Sequence, residues 1–513
     1  MRTSTWYWFF YTASARRCSN LIVMEVPGRD PVRVFEAFRK RPYSIFLDSG
    51  MDPGRLGRYS LIGSDPFLVF KSKGREVTVF ENSNWRIIKG HPFKILKGLL
   101  KRYRAGNDPR IPVAAGAFGY FAYDLNRQIE RLPQIAVDDL GLPDCYLGFY
   151  DCLTIYDHQQ SKMFLTSTGL PEHGKRADVR ARERLQGLVK YVCADAENKS
   201  VLPAGYPDDD SGQKKGKAGE EPVIYGHFTY ESYCAAVQKV KDYISAGDIL
   251  QAILSQRFSC RLPKRPWQLY LHLRNINPAP FAAYLHYPEL DIICASPERF
   301  LKVDGCCVET RPIKGTRPRG KNSLEDLRLR AELLQSEKDR AELSMITELE
   351  RSDLERVCCD GSVEVQEWFG LEEYPTVFHL VSTVRGQLAP EKDLIDLLLA
   401  AFPGGSITGT PKIRAMEIIE ELEPVKRGVY TGSIGYLGFD GNADLNVVIR
   451  TFVVKDGTAY FQVGGGIINN SEPDAEYRET ITKAGALLCA LGCKGEVKVC
   501  QVWPGLMGGL STP

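Results

Sequence analysis

The segment Arg311-Pro312-Ile313-Lys314-Gly315-Thr316 places a primary amine between a rigid Pro-Ile step and a Gly-Thr turn. A lysine amine has an ordinary pKa of about 10.4, so it is a nucleophile near neutral pH only where burial or neighbouring positive charge lowers that pKa. Lys314 has four basic neighbours in the same stretch, Arg311, Arg317, Arg319 and Lys321. The segment therefore has two interpretations, a covalent catalyst or a solvated basic turn.

Two pairs of acidic residues at helical spacing could hold a cation. Asp339 and Glu342 follow Ser336, and a serine with an acid three residues later is typical of a helix N-cap. Glu342 shares a stripe with Ile346, which turns its carboxylate toward packed surface. Glu476 and Glu479 repeat this three-residue spacing.

The second acidic pair also lies on a predicted helix, because Pro473 stands near its first position and Gly492 follows its apolar end. Two such pairs facing each other suit Mg²⁺, which prefers oxygen ligands and keeps several waters. The alternative for each pair is a solvated helix face, neutralised by the neighbouring arginine, Arg340 or Arg478.

The glycine-rich segment from Gly404 to Lys412 is predicted to bind an anion. Its spacing differs from that of a nucleotide phosphate loop, since Thr410-Pro411 intervenes before Lys412. We expect a helix with Thr410 at its cap and Pro411 first inside, because free backbone amides at such a helix start attract negative charge. The apolar residues predicted to share one face of this helix are Ile413, Met416, Ile419 and Leu422.

Composition describes an ordinary globular chain. At 513 residues with 43% hydrophobic residues it can form a sizeable core, and a formal net charge of +2 gives no global electrostatic case for nucleic acid or an anionic membrane. Fourteen scattered cysteines, without Cys-x-x-Cys spacing, favour a reduced cytoplasmic protein over a disulfide framework. No apolar run approaches the ~20 residues needed to cross a bilayer.

The chain divides by composition into five parts. Residues 1–23 are predicted to be an unstructured leader, with Met24 as a candidate start that a native peptide beginning earlier would contradict. Residues 24–195 contain short β-branched and aromatic runs, which predict an N-terminal β-rich region. Residues 196–226 are polar and predict a linker or disordered insertion, residues 227–493 alternate helical and strand patterns in a catalytic region, and residues 494–513 form a C-terminal tail.

Further motifs follow one another through the C-terminal half, with weaker matches before it. They are Ser296–Phe300, Lys338–Glu342, His379–Ser382, Gly404–Lys412, Ile449–Thr451, Gly464–Ile467 and Glu476–Thr480, and in the N-terminal half Phe46–Gly50 and Gly57–Ser60. In this order they resemble the chorismate-binding enzymes, the family of anthranilate synthase and aminodeoxychorismate synthase component I. Where anthranilate synthases typically have Pro-Ile-Ala-Gly-Thr, this chain has the Pro-Ile-Lys-Gly-Thr of the aminodeoxychorismate synthase branch.

The resemblance implies an α+β fold in four layers, α/β/β/α, with two orthogonally packed antiparallel sheets and helices outside. It implies amination of chorismate to 4-amino-4-deoxychorismate, towards p-aminobenzoate and folate, with Lys314 as the covalent nucleophile and Glu298 as the proton donor. His379 matches the active-site histidine that orients substrate, although a lone histidine beside apolar residues is otherwise often a core residue.

The resemblance also assigns binding residues. The substrate-binding set is Thr316, Gly409, Thr410, Tyr430, Arg450, Gly464, Gly465 and Lys483, and the Mg²⁺ ligands are Glu342 and Glu479, with Asp339 and Glu476 acting directly or through water. Without the family, Arg450 is equally a strand-end surface arginine, Tyr430 a half-buried core residue and the triple glycine a turn.

Two partners follow from the same resemblance. Related enzymes take ammonia from a glutaminase whose nucleophile lies in a Gly-x-Cys-x-Gly setting, and none of the cysteines here has that setting. A separate glutamine amidotransferase subunit is therefore implied. Residues that match those enclosing bound tryptophan in relatives are Ser49, Gly57, Arg58, Tyr59, Pro280 and Phe281, but Asp48 departs from the glutamate usual in anthranilate synthases.

Other functions stay open at this level. Anthranilate synthase component I would release pyruvate and would need no lysine nucleophile, and isochorismate or salicylate synthases would use water. The alternative from a different class is a catalytically idle subunit that binds chorismate or tryptophan. The presence of the lysine, the glutamate and both acidic pairs argues against it.

Overall fold

Residues 21–193, 222–374, 377–493 and 499–501 are described by the computed structural model. Within them the chain forms two large sheets, whose strands we number in chain order. The first sheet contains β1 Ile22–Pro27, β2 Ser44–Asp48, β3 Tyr59–Gly63, β9 Cys152–Asp157, β10 Lys162–Ser167, β11 Ile224–Gly226, β12 Gln251–Arg261, β13 Phe281–Tyr287, β14 Leu290–Ser296, β20 Gly409–Thr410, β23 Thr451–Lys455, β24 Thr458–Ile467 and β25 Val499–Gln501.

The second sheet contains the remaining strands. They are β4 Leu68–Lys73, β5 Glu76–Glu81, β6 Asn84–Lys89, β7 Gly116–Phe121, β8 Cys145–Tyr150, β15 Arg299–Asp304, β16 Cys307–Arg311, β17 Ile313–Pro318, β18 Glu364–Glu373, β19 Val377–Gln387, β21 Ser433–Gly438 and β22 Ala443–Asn446. The helices are α1 Pro31–Glu36, α2 Pro92–Arg102, α3 Gly174–Cys193, α4 Tyr230–Ser245, α5 Pro266–Ile276, α6 Ser323–Gln335, α7 Glu337–Glu355, α8 Leu394–Ala401, α9 Lys412–Leu422 and α10 Pro473–Leu491.

Strands from both halves of the chain interleave in each sheet. In the first sheet β2 pairs antiparallel with β13, so that Phe46 lies opposite Tyr284. In the second sheet β7 pairs antiparallel with β21. The N-terminal β-rich region and the catalytic region therefore share both sheets.

The apolar clusters define the layers. One cluster combines residues of both sheets, such as Ile45 and Ile292 from the first with Tyr120 and Ile434 from the second, so the two sheets face each other. The outer face of the second sheet packs on α2, α7, α8 and α9, and that of the first packs on α1, α3, α5 and α10. Helix α4 packs with α9 against β12. These contacts confirm the predicted four-layer α+β fold.

Strands of the structure lie in parts of three predicted segments, the leader, the linker and the tail. Residues 22–23, assigned to the leader, belong to β1, which pairs with β10. Residues 224–226, assigned to the linker, form β11, and residues 499–501 of the predicted tail form β25 parallel to it. Such short edge strands carry too few residues for an alternating pattern. Residues 1–20, 194–221, 494–498 and 502–513 lie outside the described residues.

In the described part of the chain, no helix is both long enough and apolar enough to span a bilayer.

Candidate active site

Lys314 lies on β17, beside the longer strand β19. The register pairs Lys314 with Leu380 and Thr316 with His379, with an irregularity between them at Gly315. Gly315 has a φ of +77°, and a Cβ there would lie 2.8 Å from Leu333 Cδ1 and 3.0 Å from Asp339 Cβ. Only glycine fits this bend, which brings β17 close to the start of α7.

The amine of Lys314 points into a mixed-charge pocket. Its Nζ donates to the carbonyl oxygen of Ser406 at 3.0 Å. Burial lowers the pKa of Lys314, Glu342 and Glu298 oppose that shift by attraction, and Lys483 adds to it by repulsion. The net direction is downward, toward a neutral amine.

The basic residues next to Lys314 in sequence do not cause this shift. Arg311 pairs with Glu372 at 2.8 Å, Arg317 with Glu332 at 2.8 Å, and Arg319 with Asp326 at 2.5 Å. Their positive charges are thereby balanced, and burial is the main cause of the lowered pKa of Lys314.

Glu298 is a buried acid next to this lysine. It lies between β14 and β15 with only 5% of its surface exposed, and its Oε1 has no hydrogen-bond partner among the described residues. Burial raises the pKa of Glu298, opposed by the Ser406 hydroxyl and by Lys314. A carboxyl group in this state can keep a proton that an exposed acid would release.

His379 is held as a neutral imidazole. It is 2% exposed, and its Nδ1 lies 2.9 Å from the Thr316 hydroxyl. Burial, together with the charge of Arg450, lowers the pKa of His379 to about 3. The ring can therefore orient a partner by hydrogen bonding, but it carries no charge near neutral pH.

Arg450 has the properties of an anion receptor. It follows Ile449 with a φ of +52°, and its Nη1 donates to Asn277 Oδ1 at 3.2 Å. In the described ranges no carboxylate lies within ion-pair distance of its guanidinium, and burial lowers the pKa of Arg450. A partly buried guanidinium without a carboxylate is suited to bind the carboxylate of a ligand.

The glycine-rich loop differs from its predicted geometry. Gly409 and Thr410 form the short strand β20 against β12, and the N-cap of α9 is Pro411, which makes no side-chain cap hydrogen bond. The predicted Thr410 cap is therefore wrong, because pairing with β12 takes that residue into a sheet. Ile413, predicted to be on the apolar face, is 46% exposed.

Gly464 and Gly465 lie on β24 beside the start of α10. Lys483 Nζ donates to the Gly464 carbonyl at 3.0 Å and pairs with Glu479 at 2.6 Å. A Cβ on Gly465 would lie 3.0 Å from Glu476 Oε2, so this glycine lets the strand approach the acidic helix.

Tyr430 is buried next to Arg427. Its ring centroid lies 6.0 Å from the guanidinium carbon of Arg427, which donates to the Ile407 carbonyl at 3.0 Å. Burial raises the pKa of Tyr430 well above its ordinary range, so its hydroxyl stays protonated. Tyr430 thus adjoins the loop that receives the Lys314 hydrogen bond.

The two acidic helices are formed as predicted. Ser336 caps α7 and accepts from the Asp339 backbone amide, and Gly492 ends α10 in the left-handed conformation. Burial raises the pKa of Glu342, and Asp339 and Glu479 raise it further by repulsion. Burial also raises the pKa of Glu476, with Glu479 adding to it.

These carboxylates fit a cation to different degrees. Glu479 repels both Glu342 and Glu476, which a divalent cation would relieve, but Glu479 also pairs with Lys483 at 2.6 Å and Asp339 pairs with Arg317 at 3.1 Å. Among the residues with assigned positions, no three His, Cys, Asp or Glu side chains converge on one cation position. Mg²⁺ needs only one or two carboxylates besides water and substrate, so the oxygen donors fit that ion.

The six residues matched to a tryptophan pocket lie at the ends of β2, β3 and β13 of the first sheet, away from Lys314 in β17 of the second. Ser49 Oγ lies 2.8 Å from the Tyr59 carbonyl and 3.2 Å from the Pro280 carbonyl. Arg58 pairs with Asp157 at 2.8 Å and lies over the Tyr59 ring, Gly57 packs on the Met51 carbonyl, and Phe281 lies under Arg299. The Asp48 carboxylate is already bound by Tyr270, Arg274 and Ser60.

Two residues of the site were not assigned from sequence. Ser406 supplies the carbonyl that binds Lys314, and it lies within the glycine-rich segment. Glu350 is buried behind Glu298, four positions after Ile346 on the inner stripe of α7. An acid on an apolar stripe was the signal for it.

Comparison with known proteins agrees with this geometry. The family model described as chorismate binding enzyme matches residues 45–489. The chain is 39% identical over 483 residues to "Anthranilate synthase component 1" of Acetivibrio thermocellus, covering 93% of this chain and 96% of that one. It is also 39% identical over 454 residues to "Aminodeoxychorismate synthase component 1" of Bacillus subtilis (strain 168), covering 88% and 92%.

A solved structure gives the same result. The crystal structure of anthranilate synthase component I from Streptococcus pneumoniae TIGR4 is 31% identical, with a TM-score of 0.73 over 84% of this chain and 92% of that one. Fold and sequence identity over most of the length agree, and this chain belongs to the chorismate-binding enzyme family.

Proposed function

We propose that this protein aminates chorismate to 4-amino-4-deoxychorismate, with Lys314 as a covalent nucleophile. The observation that carries the proposal is the Lys314 amine, whose pKa burial lowers, next to the protonatable Glu298. An enzyme that releases anthranilate and pyruvate by direct attack of ammonia has no use for such an amine.

The amination replaces the ring hydroxyl by nitrogen at the same carbon with retained configuration. A single back-side displacement would invert that carbon, so two displacements are required. In the first, Lys314 Nζ forms a bond to the ring carbon next to the one bearing carboxylate, both ring double bonds shift by one position, and the carbon–oxygen bond to the hydroxyl breaks. Glu298 gives its proton to the departing hydroxyl, which leaves as water, and becomes a carboxylate.

In the second displacement, ammonia forms a bond to the carbon that lost the hydroxyl. Both double bonds shift back, and the bond to Lys314 breaks with its electron pair, which returns the amine to its neutral form. The new ammonium group gives a proton to the Glu298 carboxylate, so both residues return to their starting states and the net products are the amine and water.

The two substrate carboxylates need separate receptors. Arg450 offers a guanidinium without a carboxylate among the described residues, and Lys483 lies beside the Gly464–Gly465 backbone at the other side. Thr316 and neutral His379 lie together next to Lys314 on neighbouring strands, where they can orient the ring. Glu342 and Glu479, with Glu476 acting through water, would hold a Mg²⁺ ion, which would supply Lewis-acid polarisation of the ring carboxylate.

The ammonia is expected to come from a separate glutamine amidotransferase subunit. None of the fourteen cysteines lies in the Gly-x-Cys-x-Gly setting of a glutaminase. The chain by itself should therefore use ammonium salts but not glutamine.

Product identification tests the proposal. The purified chain is incubated with chorismate, Mg²⁺ and an ammonium salt, and the mixture is analysed by mass spectrometry, by anthranilate fluorescence and by a pyruvate assay. We expect an aminated chorismate that retains its enolpyruvyl side chain. Anthranilate with equimolar pyruvate would contradict it.

The second candidate is anthranilate synthase component I. The specific observation in its favour is identity, since a relative with that name is as similar as one named aminodeoxychorismate synthase. The same product assay separates the two reactions.

A further inference from the structure

Glu350 is an acid enclosed by the second sheet, α7 and the glycine-rich loop. It is 6% exposed, and the loop backbone reaches it, since a Cβ on Gly405 would lie 3.1 Å from Glu350 Cγ. Glu298 and Lys314 are within electrostatic range on the active-site side. A buried carboxylate is costly unless a cation or several donors balance it.

The hydrogen bonds of Thr310 indicate a proton on Glu350. Thr310 Oγ1 lies 2.7 Å from the Phe300 carbonyl oxygen and 2.7 Å from Glu350 Oε2. A hydroxyl has one proton, and a backbone carbonyl can only accept. When Thr310 donates to Phe300, the short contact with Glu350 is satisfied only if the carboxylic acid donates to Thr310.

Lys412, on the neighbouring helix α9, has no donor left for a hydrogen bond to Glu350. Lys412, on α9, contacts Asp353 and donates to the Ala401 carbonyl at 3.1 Å and to the Pro403 carbonyl at 3.0 Å. An ammonium group has three donors, and these three acceptors use all of them.

The charged groups around Glu350 agree with the neutral form. Burial raises the pKa of Glu350 to about 8, repulsion from Glu298 and Asp353 adds to the shift, and Lys412 opposes it. Thr310 would oppose it only as a donor to the carboxylate, and its proton goes to the Phe300 carbonyl in the arrangement above. An ionised Glu350 would attract the proton of the Lys314 ammonium and raise the lysine pKa, which would reduce the nucleophilic fraction.

We propose that Glu350 is a positioning residue, a neutral carboxylic acid that donates to Thr310. Because it is neutral, it adds no negative charge near Lys314 to the charge of Glu342. Its importance for catalysis rests on the proposed function, but its protonation state does not. The two are therefore tested by separate measurements.

The first test is stability against pH in Glu350→Gln. The folded state keeps the Glu350 proton up to about pH 8, whereas the unfolded chain releases it near pH 4.5. Between these values raising the pH favours the unfolded wild type, and glutamine removes this effect. The urea midpoint of E350Q should therefore increase relative to wild type as the pH rises from about 5 to 8, and then level off.

Two further variants keep this test decisive. Glu348→Gln changes an exposed acid of the same helix that pairs with Arg351, so its midpoint difference should stay constant over this range. If E350Q does not fold, Glu350→Met takes its place. Methionine is also neutral, so the urea midpoint of this variant should show the same increase relative to wild type that is expected for E350Q. A pH-independent difference for the Glu350 variants would overturn the proposal.

The second test measures the Lys314 amine directly. Wild type and E350Q are labelled with acetic anhydride, and modification of Lys314 is measured by peptide mass spectrometry relative to the exposed Lys321. The E350Q to wild-type ratio should rise several-fold between pH 7 and 9.5, as wild-type Glu350 ionises. A constant ratio would overturn the positioning role, whereas an active Lys314→Ala enzyme would overturn only the proposed function.

Discussion

The reactivity of Lys314 depends on desolvation that is opposed by nearby acids. Burial lowers its pKa, while Glu342 and Glu298 limit the shift by attraction. This balance can be changed by single substitutions.

Replacing Lys314 by alanine should reduce amination by about 10³-fold, the order expected for loss of a catalytic group. The fold should persist, because the side chain makes a single hydrogen bond, to Ser406. Initial rates and urea midpoints measure the two effects. Lys321→Ala, an exposed lysine of the same basic stretch, serves as the control and should leave the rate unchanged. Near-wild-type turnover of the Lys314 variant would exclude the covalent role.

The acid limb of the pH–rate profile should come from Lys314 and not from His379. A pKa of about 3 keeps the imidazole neutral above pH 5, so raising the pH there frees the lysine amine without changing the histidine. His379→Gln should lower the rate about tenfold through a lost hydrogen bond but leave the position of the limb unchanged. A limb that moves in the kcat/KM profile of this variant would show that the histidine titrates.

Sequence predicts those site residues that belong to recognisable local patterns. Lys314, Glu298 and the two acidic pairs stand in ordered motifs, and the structure brings them near one another. It does not predict which charges balance one another, because the partners of Arg311 and Arg317 are distant in sequence. Closeness in sequence therefore does not show which charges act on the lysine amine.

At the scale of elements, helix ends are predictable where local chemistry decides them. Ser336 and Gly492 terminate their helices as predicted, because capping depends on a few adjacent residues. Thr410 fails as a cap because β12, far away in sequence, pairs with it. Ile413 is exposed because α9 buries only part of its apolar face.

Strand β17 depends on the bend at Gly315. Gly315→Ala should destabilise the fold by about 2–4 kcal/mol, since it adds backbone strain at φ +77° and a contact with Leu333 and Asp339. It should also lower kcat/KM, because Lys314 is the preceding residue.

Gly305→Ala is the matched control. Gly305 has a φ of +61° but open space around a Cβ, so only the strain of about 1 kcal/mol is expected. Equal urea midpoints for both variants would contradict a close-packed bend.

At the scale of the whole molecule, the pairing of distant strands could not be derived from periodicity. Short aromatic runs predict β-structure in the first half, but nothing local specifies that β2 pairs with β13 or β7 with β21. The layered arrangement came from family resemblance, and the clusters between the sheets confirm it. Such pairings are set by burial of both halves together.

This interleaving predicts that neither half is stable without the other. Residues 222–501 alone would lose β2 and β7 as partners of β13 and β21, together with the apolar residues that the first half contributes between the sheets. Each large buried side chain contributes about 1.5–3 kcal/mol, and a domain has a net stability of about 5–15 kcal/mol, so this loss exceeds what the fragment can tolerate.

We therefore expect residues 222–501 produced alone to show no cooperative urea transition by circular dichroism. Co-expression with residues 21–193 as a separate chain should give a 1:1 complex that unfolds cooperatively, because the described contacts between the halves are non-covalent. The intact protein is the reference for both the midpoint and the amination rate. A cooperative transition of the C-terminal fragment alone would mean that the catalytic region is an independent folding unit and that the shared sheets are not required for its stability.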